Sequence, residues 1–397
     1  MKVAVIIQRG GRDIIGGAEG YALGLCRILS ASCHVDMLTT AAKDHFTWKN
    51  AYVDKEEVVN DNLLIKRFSV DGERGSYWVE VFGRIQRQAD EAGDSRAFYK
   101  SLPLGISEEW IRAQGPYSSD LFEYLRENQD NYDKFIFVTY LYATTYFGMD
   151  AIEDKNKLLL IPAYHDENAA HLPIFKKYLP IKHLFLTTEE ERVAKKIIYK
   201  EEISSDLLGF GLEDKSHSVQ DDIEASPAKA KTPYLLYAGR LEEGKGVQTL
   251  YDHFSRLRAK EPQIELFTIG EGTLKNTDIP GIIYKGFVSE EEKLSYMRGA
   301  LALVHPSSFE SLSIVLLEAF MMGTPGIVNG RCQVLKDHIT LSKSGYFYYS
   351  YDEFEEATLS LLQNKKERDA LGEGAYSYYK KYYSLDSFTK RIHEALR

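Results

Sequence analysis

Short apolar runs recur along this chain, each leaving into a glycine-bearing or polar turn and then a helical pattern. That rhythm most limits what the chain can fold into. KVAVIIQ (residues 2–8) is apolar throughout, as a strand covered on both faces requires. A glycine-rich turn follows, then AEGYALGLCRILS with apolar residues at helical spacing, then the strand-like CHVDMLTT. DKFIFVTY (133–140) and KLLLIPAYHD (157–166) repeat the pattern. Alternation of this kind predicts a parallel, doubly wound α/β sheet.

The rhythm breaks in DKSHSVQDDIEASPAKAKT (214–232), a polar stretch without aromatics that reads as a loop or linker. It restarts with PYLLYAGR (233–240), IELFTIG (264–270), GIIYKGF (281–287), ALALVHP (300–306) and GTPGIVN (323–329). The expected organisation is a first α/β domain over 1–200 and a second over 201–380. The terminal DSFTKRIHEALR is a capped amphipathic helix, within about 380–397, expected to pack back on the first domain. Two Rossmann-like domains facing a deep cleft would bring the carboxyl ends of both sheets to one ligand site.

A chain of 397 residues has room for about two ordinary domains, and 44% hydrophobic with 27% charged residues is a globular composition. The net charge of −10 argues against a nucleic-acid partner. Cys26, Cys33 and Cys332 show no metal or redox spacing and fit a reducing compartment. MKVAVII is too short for a signal peptide, and no apolar run approaches the roughly 20 residues of a membrane span. These features describe a soluble, cytoplasmic protein.

GRLEEGKG (239–246) has the G-x-x-x-x-G-K spacing of a P-loop, but Gly246 stands where Ser or Thr would ligate magnesium. A nucleoside triphosphatase is therefore disfavoured. An anion site remains: a strand end at Gly239, a helix amino terminus, and the cations of Arg240 and Lys245. The competing reading is an ordinary turn with surface cations. GRDIIGGAE (11–19) fails the dinucleotide pattern G-x-G-x-x-G. Gly16 and Gly17 either let backbone approach a ligand closely or simply make a tight turn. His165, in PAYHDE just past a strand, is either structural or a cleft residue. No Asp-x-Asp occurs in the chain, so no metal site is expected.

FESLSIVLLEA (309–319) carries Glu310 and Glu318 around an apolar run. LVHPSSFES reads as a strand leaving into a serine-rich loop, and SIVLLEAFMMG as a helix ended by Gly323. Glu310 then lies in or near the loop and Glu318 about two turns into the helix. Eight helical residues rise about 12 Å, a length that suits the reach of a nucleotide sugar from its sugar hydroxyls to its ribose diol. The alternative makes Glu310 a loop or capping acid and Glu318 a surface residue.

Taken together, E-x7-E, YAGRLEEGKGV, FTIGEG, YKGFVSEEEKLSYM and MMGTPGIV resemble the carboxyl-terminal domain of family 4 glycosyltransferases, retaining enzymes of the GT-B fold. GGAEGYALGL is similar to that family's first amino-domain loop. The resemblance is dense over 233–350 and sparse in the first domain. It implies that Arg240 and Lys245, after Gly239, neutralise the diphosphate of a nucleoside-diphosphate sugar and that Glu318 holds the ribose. It implies too that Glu310, with the backbone of Ser311, Leu312 and Ser313, holds sugar and phosphate, and that Val288 meets the base by its backbone. The usual glycine-rich filling after the first glutamate is SLS here. The family's amino-domain histidine motif, expected near 138–148, reads VTYLYATTYFG, with His165, Tyr140 or Tyr142 left to replace it.

The implied activity is metal-independent hexosyl transfer without a cofactor, from a nucleoside-diphosphate sugar to a glycan or lipid-linked acceptor in polysaccharide assembly. UDP-glucose is the first donor to test and GDP-mannose the second. A non-catalytic sugar-nucleotide binder, an epimerase and a phosphorylase are the alternatives on the same fold. FKKYLPIKHLF (175–185) reads either as a peripheral membrane contact at the inner face or as a solvated helix face.

Overall fold

The computed structural model describes residues 1–14, 16–217, 232–275 and 278–397, so most of the polar stretch read as a linker lies outside the described residues. The chain divides into two compact units, Met1–Phe210 with Thr389–Arg397, and Gly211–Phe388.

Among the described residues the first unit builds a sheet of eight strands. They are β1 (Lys2–Arg9), β2 (His34–Thr40), β3 (Glu56–Asn60), β4 (Leu63–Phe68), β5 (Lys134–Val138), β6 (Leu158–Ile161), β7 (Lys182–Phe185) and β8 (Ser205–Leu207). Their order is β3-β4-β2-β1-β5-β6-β7-β8, parallel throughout except for β3 against β4. Val3 to Ile7 of β1 are fully buried, as a central strand covered on both faces demands. The core gathers Phe135 and Phe137 with Leu160, Phe175, Tyr178 and Phe185.

That core absorbs the apolar half of FKKYLPIKHLF. Phe175 and Tyr178 lie on a 3-10 turn, Pro173–Tyr178, and Leu184 and Phe185 on β7, all fully buried. The stretch is neither a solvated helix face nor an apolar surface for a bilayer. Among the described residues no helix is long and apolar enough to cross a membrane. The helix Leu385–Ala395 enters the first unit at Thr389, where Arg391 Nε donates to the Leu208 carbonyl at 2.9 Å.

The second unit contains β9 (Tyr234–Ala238), β10 (Glu265–Ile269), β11 (Ile282–Gly286), β12 (Ala302–His305), β13 (Gly326–Asn329) and β14 (Gly345–Tyr348). All are parallel in the order β11-β10-β9-β12-β13-β14. This is the third-second-first-fourth-fifth-sixth order of a doubly wound nucleotide-binding sheet. In the first unit, β4-β2-β1-β5-β6-β7 follows the same order within its wider sheet. Leu235, Phe254, Leu266, Val304 and Ile327 fill the second core.

The loops leaving β9, β10 and β11 are tied edge to edge. Gly239 N–H donates to the Ile269 carbonyl (2.9 Å), Gly270 N–H to Gly286 (3.0 Å) and Leu241 N–H to Glu271 (2.9 Å). This lacing holds the rim of the sheet where ligands of such folds bind.

Candidate functional site

In the second unit the winding reverses between β9 and β12, adjacent in the sheet but far apart in sequence. The loops from their carboxyl ends carry GRLEEGKG and HPSSFES. The first loop closes in a 3-10 turn, Glu243–Lys245, and Gly246 caps the helix Val247–Lys260 with φ 73°. A Cβ on Gly246 would sit 2.5 Å from the Pro306 carbonyl oxygen, so the absent side chain lets the two loops touch.

Across that contact Lys245 Nζ donates to Glu310 Oε1 at 2.7 Å, with side chains 27% and 15% exposed. Burial pushes the Glu310 carboxyl up, but the His305 ring, the Lys245 ammonium and the Ser307 hydroxyl together hold it below its ordinary value. His305, at the end of β12, approaches Glu310 Oε1 to 3.7 Å and has a buried Nδ1 without a partner. Burial lowers its pKa to about 4, so the ring is neutral near pH 7 and leaves Lys245 as the cation of this group. Arg240 lies apart from this pair. Its guanidinium is 67% exposed and meets Glu242 at 3.2 Å, while its carbonyl accepts from the Tyr237 hydroxyl at 2.7 Å.

The helix after β12 begins at Ile314, not at Glu310. Ser313 precedes it with φ 63°, in the left-handed region, so residues 310–313 do not continue the helical rise. The 12 Å helical separation expected between Glu310 and Glu318 therefore does not apply, and Glu318 is the fifth helical residue rather than two turns in. The loop just before this serine is held from outside. The buried His338 ring bridges the Leu312 carbonyl (Nε2, 2.9 Å) and the Tyr378 hydroxyl (Nδ1, 3.0 Å). Burial lowers the His338 pKa to about 4, and a neutral ring that donates to the carbonyl and accepts from the hydroxyl satisfies both contacts.

Glu318 is taken by Lys293, whose Nζ lies 2.7 Å from Oε2 and 2.8 Å from Oε1. Lys293 belongs to the helix Glu290–Gly299, whose capping box at Ser289 directly follows Val288. The carboxylate is thus tied to the helix that starts beside the residue implied to meet the base. Leu312 and Ser313 are buried, and the Ser313 hydroxyl has no partner.

In the first unit the corresponding reversal lies between β1 and β5. Gly16, in extended conformation, caps the helix Gly17–Ser30. A Cβ on Gly16 would meet Glu19 Oε2 at 2.0 Å, so this glycine makes room for a carboxylate of its own chain. Gly17 has open space around it. Glu19 accepts from Arg9 Nε (2.6 Å) and Gln8 Nε2 (3.2 Å), and Thr139 donates to Gln8 Oε1 at 3.1 Å. Thr139 has φ 70°, unusual for a β-branched residue, and Ala163 past β6 has φ 55°. Between these bends Tyr140 donates to Glu167 Oε1 at 2.7 Å, and Tyr142 stands edge-on to Trp48 with ring centres 5.6 Å apart.

His165 follows Tyr164 on the loop after β6 and is partly exposed. The buried Glu190 accepts the Tyr164 (2.9 Å) and Leu186 (2.7 Å) backbone N–H groups. Burial pushes Glu190 up to about 7. Among the described residues no group of His, Cys, Asp or Glu could hold a metal ion, and the three cysteines are buried and unpaired.

The structure thus brings Lys245 to Glu310, pairs Arg240 with its own loop, and ties Glu318 to Lys293. Sequence reasoning passed over His305, His338 and Lys293. His305 was visible as a lone imidazole ending an apolar run. Lys293 sat in EEEK, which reads as a solvated helix start.

Residues 218–378 match the family model described as glycosyl transferases group 1. This segment is a group 1 glycosyltransferase domain. The chain is 33% identical over 137 residues to glycogen synthase from Mycobacterium tuberculosis, covering 30% of this chain and 33% of that protein. It is 30% identical over 110 residues to a phosphatidyl-myo-inositol mannosyltransferase from Propionibacterium freudenreichii, covering 27% of this chain and 28% of the relative. The matched stretches therefore span about a third or less of the length of these curated relatives.

Solved structures extend the likeness to the whole chain. Sucrose-phosphate synthase from Thermosynechococcus elongatus superposes with TM-score 0.71 at 16% identity, covering 99% of this chain and 98% of its own. Anabaena HepE, solved in complex with UDP and glucose, gives TM-score 0.66 at 12% identity, covering 100% and 99%. The fold is GT-B, with two Rossmann-like units and the group 1 domain as the second.

Proposed function

We propose that the chain is a retaining hexosyltransferase that uses a nucleoside-diphosphate sugar, UDP-glucose first among donors, and a glycan acceptor in polysaccharide assembly. The observation that carries this reading is the Lys245–Glu310 pair, held at 2.7 Å where the second sheet reverses its winding. A cation and an acid on adjoining loops can serve the two sides of a sugar–phosphate bond.

As that bond loosens, positive charge grows on the sugar and negative charge on the diphosphate, an oxocarbenium-like course comparable to glycoside hydrolysis. Lys245, preorganised in its pair, and the exposed Arg240 stabilise the departing diphosphate as charge develops in the transition state. Glu310 holds the sugar by its hydroxyls. The acceptor hydroxyl attacks from the face the diphosphate leaves, and its proton passes to the leaving phosphate oxygen. Donor chemistry of this kind is supported by HepE, solved with UDP-glucose, and by the glycogen synthase relative. GDP-mannose is the second donor to test, and one relative is a mannosyltransferase.

The test is a panel of nucleotide sugars, read by melting temperature and nucleotide release. UDP-glucose should stabilise the protein and release UDP. Stabilisation without release, whatever glycan acceptor is supplied, points to the binding-module reading, and no stabilisation by any nucleotide sugar overturns the proposal.

A further inference from the structure

The first unit has a basic pocket that the donor chemistry does not use. A cavity of about 190 Å³ is lined by Lys100, His171, Lys176, Ile198, Tyr199 and Glu201 among others. It is several times the roughly 30 Å³ a water takes up, so it can hold an organic group as well as an anion. Lys200, which lines the adjoining hollow, adds a third ammonium beside Lys100 and Lys176.

Among the described residues these three lysines have no carboxylate partner, although the chain is acidic overall with a net charge of −10. Three of the nearby acids, Glu191, Glu202 and Asp166, are engaged elsewhere. Lys195 pairs with Glu191 at 2.9 Å and Lys196 with Glu202 at 3.0 Å. Asp166 is shared between Arg96 (2.7 Å) and His171 Nε2 (3.3 Å). Glu201, at the mouth, is exposed and unpaired. Three ammonium groups against the single carboxylate of Glu201 leave the site net positive, and an anion lowers its energy. Burial, then Lys200 and Lys176, depress the pKa of Lys100.

The wall behind the lysines is fixed. Tyr199 donates to the Phe175 carbonyl at 3.2 Å and shares a 2.5 Å hydrogen bond with Tyr164. His171 is 2% exposed and its Nδ1 has no partner. Tyr199 ends a π-helical turn, Val193–Ile198, a rare geometry that recurs at functional sites. Lys200 follows in the left-handed region at φ 58°. Ile198 and the tyrosine ring, with Leu172 and Pro173, supply an apolar side to the pocket, and the lysines with Glu201 supply its charged side.

We propose that this pocket binds a phosphate monoester, its dianion held by Lys100, Lys176 and Lys200 and its organic group lying against Ile198 and Tyr199. A phosphate monoester offers several charged oxygens to several point charges, whereas a single carboxylate satisfies fewer of them. The site lies wholly in the first unit and does not rest on the donor reading.

The test titrates inorganic phosphate and glycerol 3-phosphate into the full chain at constant ionic strength, by calorimetry, with Lys245→Ala protein alongside to exclude the second unit. Saturable binding is expected in both, with glycerol 3-phosphate the tighter ligand. Lys100→Met and Lys176→Met should each weaken it about tenfold or more, the worth of one charge-assisted hydrogen bond. Lys195→Met, whose lysine is already paired, should not. In a second arm the protein is mixed with phosphatidylcholine vesicles containing phosphatidic acid or, at equal charge, phosphatidylserine. Preference for phosphatidic acid without binding of the soluble esters identifies a lipid headgroup as the source of the monoester. Equal binding to both vesicles with no saturable soluble binding, or Lys100→Met and Lys176→Met that bind as wild type does, overturns the proposal.

Discussion

Lys245 Nζ lies 2.7 Å from Glu310 Oε1, joining the loops that leave β9 and β12 through a pair only 27% and 15% exposed. A pair so placed stands between the ~0.5 kcal/mol of an exposed ion pair and the ~3–5 kcal/mol lost when one partner of a fully buried pair is removed. Its effect on stability should depend on pH with a definite sign. The folded Glu310 pKa is held below its ordinary value, so its contribution is present above the unfolded pKa, about 4.3, and is lost as pH falls through the folded one. Lys245→Met should therefore lower the urea midpoint at neutral pH, and the gap from wild type should narrow as pH falls through the folded Glu310 pKa. A gap that stays constant across that range would assign the loss to packing of the lysine stem.

Gly246 and Gly17 make a matched contrast. Gly246 has φ 73° and its Cβ would meet the Pro306 carbonyl at 2.5 Å, whereas Gly17 opens a helix with nothing within 4 Å. Gly246→Ala combines the left-handed penalty of about 1–2 kcal/mol with a backbone clash. It should lower the melting temperature of the second unit by several degrees, roughly 2–4 °C per kcal/mol for a unit of this size. Gly17→Ala should leave the melting temperature unchanged or raise it. Equal melting temperatures for the two variants would mean that the loop contact at Pro306 yields without cost.

Much of this architecture was legible because burial on both faces leaves a plain mark. KVAVIIQ reads as a strand covered on both faces and PYLLYAGR and ALALVHP as strands of the second domain, and they are β1, β9 and β12. Strands at or near the rim were not legible. β3 alternates exposed and half-buried residues, and β8 has three residues with little apolar content. In the site, Lys245 and Glu310 stood out through loop chemistry and spacing. The bend at Ser313 did not, since nothing in SLS announces a left-handed serine. Beside it His338 reaches the Leu312 carbonyl across 26 positions of sequence, a contact that no local pattern shows. Lys293 was hidden for a related reason: a charge at a helix start reads as solvated until the fold supplies Glu318.

The anion reading of GRLEEGKG makes a kinetic prediction. Negative charge grows on the diphosphate as the sugar bond breaks, so cation contacts strengthen in the transition state. Lys245→Ala and Arg240→Ala should each cut turnover by about a hundredfold or more. Arg240→Lys should recover part of the loss, restoring charge without the planar fork. With two cations in this role, nucleotide release should persist in EDTA. Near-normal turnover in a folded alanine variant would return the loop to an ordinary turn, and activity abolished by chelation and rescued by magnesium or manganese would replace the cation model.

The last prediction concerns Glu318, which both Lys293 contacts engage in the free protein, at 2.7 and 2.8 Å. If Glu318 holds the ribose diol, a diol hydroxyl must share that carboxylate with the lysine, and the lysine then fixes where the carboxylate points. Glu318→Gln should weaken donor binding more than it slows turnover, because a ribose contact is alike in ground and transition states. Lys293→Met leaves the acid in place but unanchored. It should raise the donor KM with kcat nearly unchanged, and Lys293→Arg should restore much of the affinity. Ribose and deoxyribose donors make the reading specific. Wild type should bind UDP more tightly than 2′,3′-dideoxy-UDP, by about tenfold for one lost hydrogen bond to a charged group, and both Glu318→Gln and Lys293→Met should compress that ratio. A ratio that survives in Glu318→Gln would remove the ribose from this carboxylate, while one that survives only in Lys293→Met would leave the ribose there and make the lysine a purely structural partner.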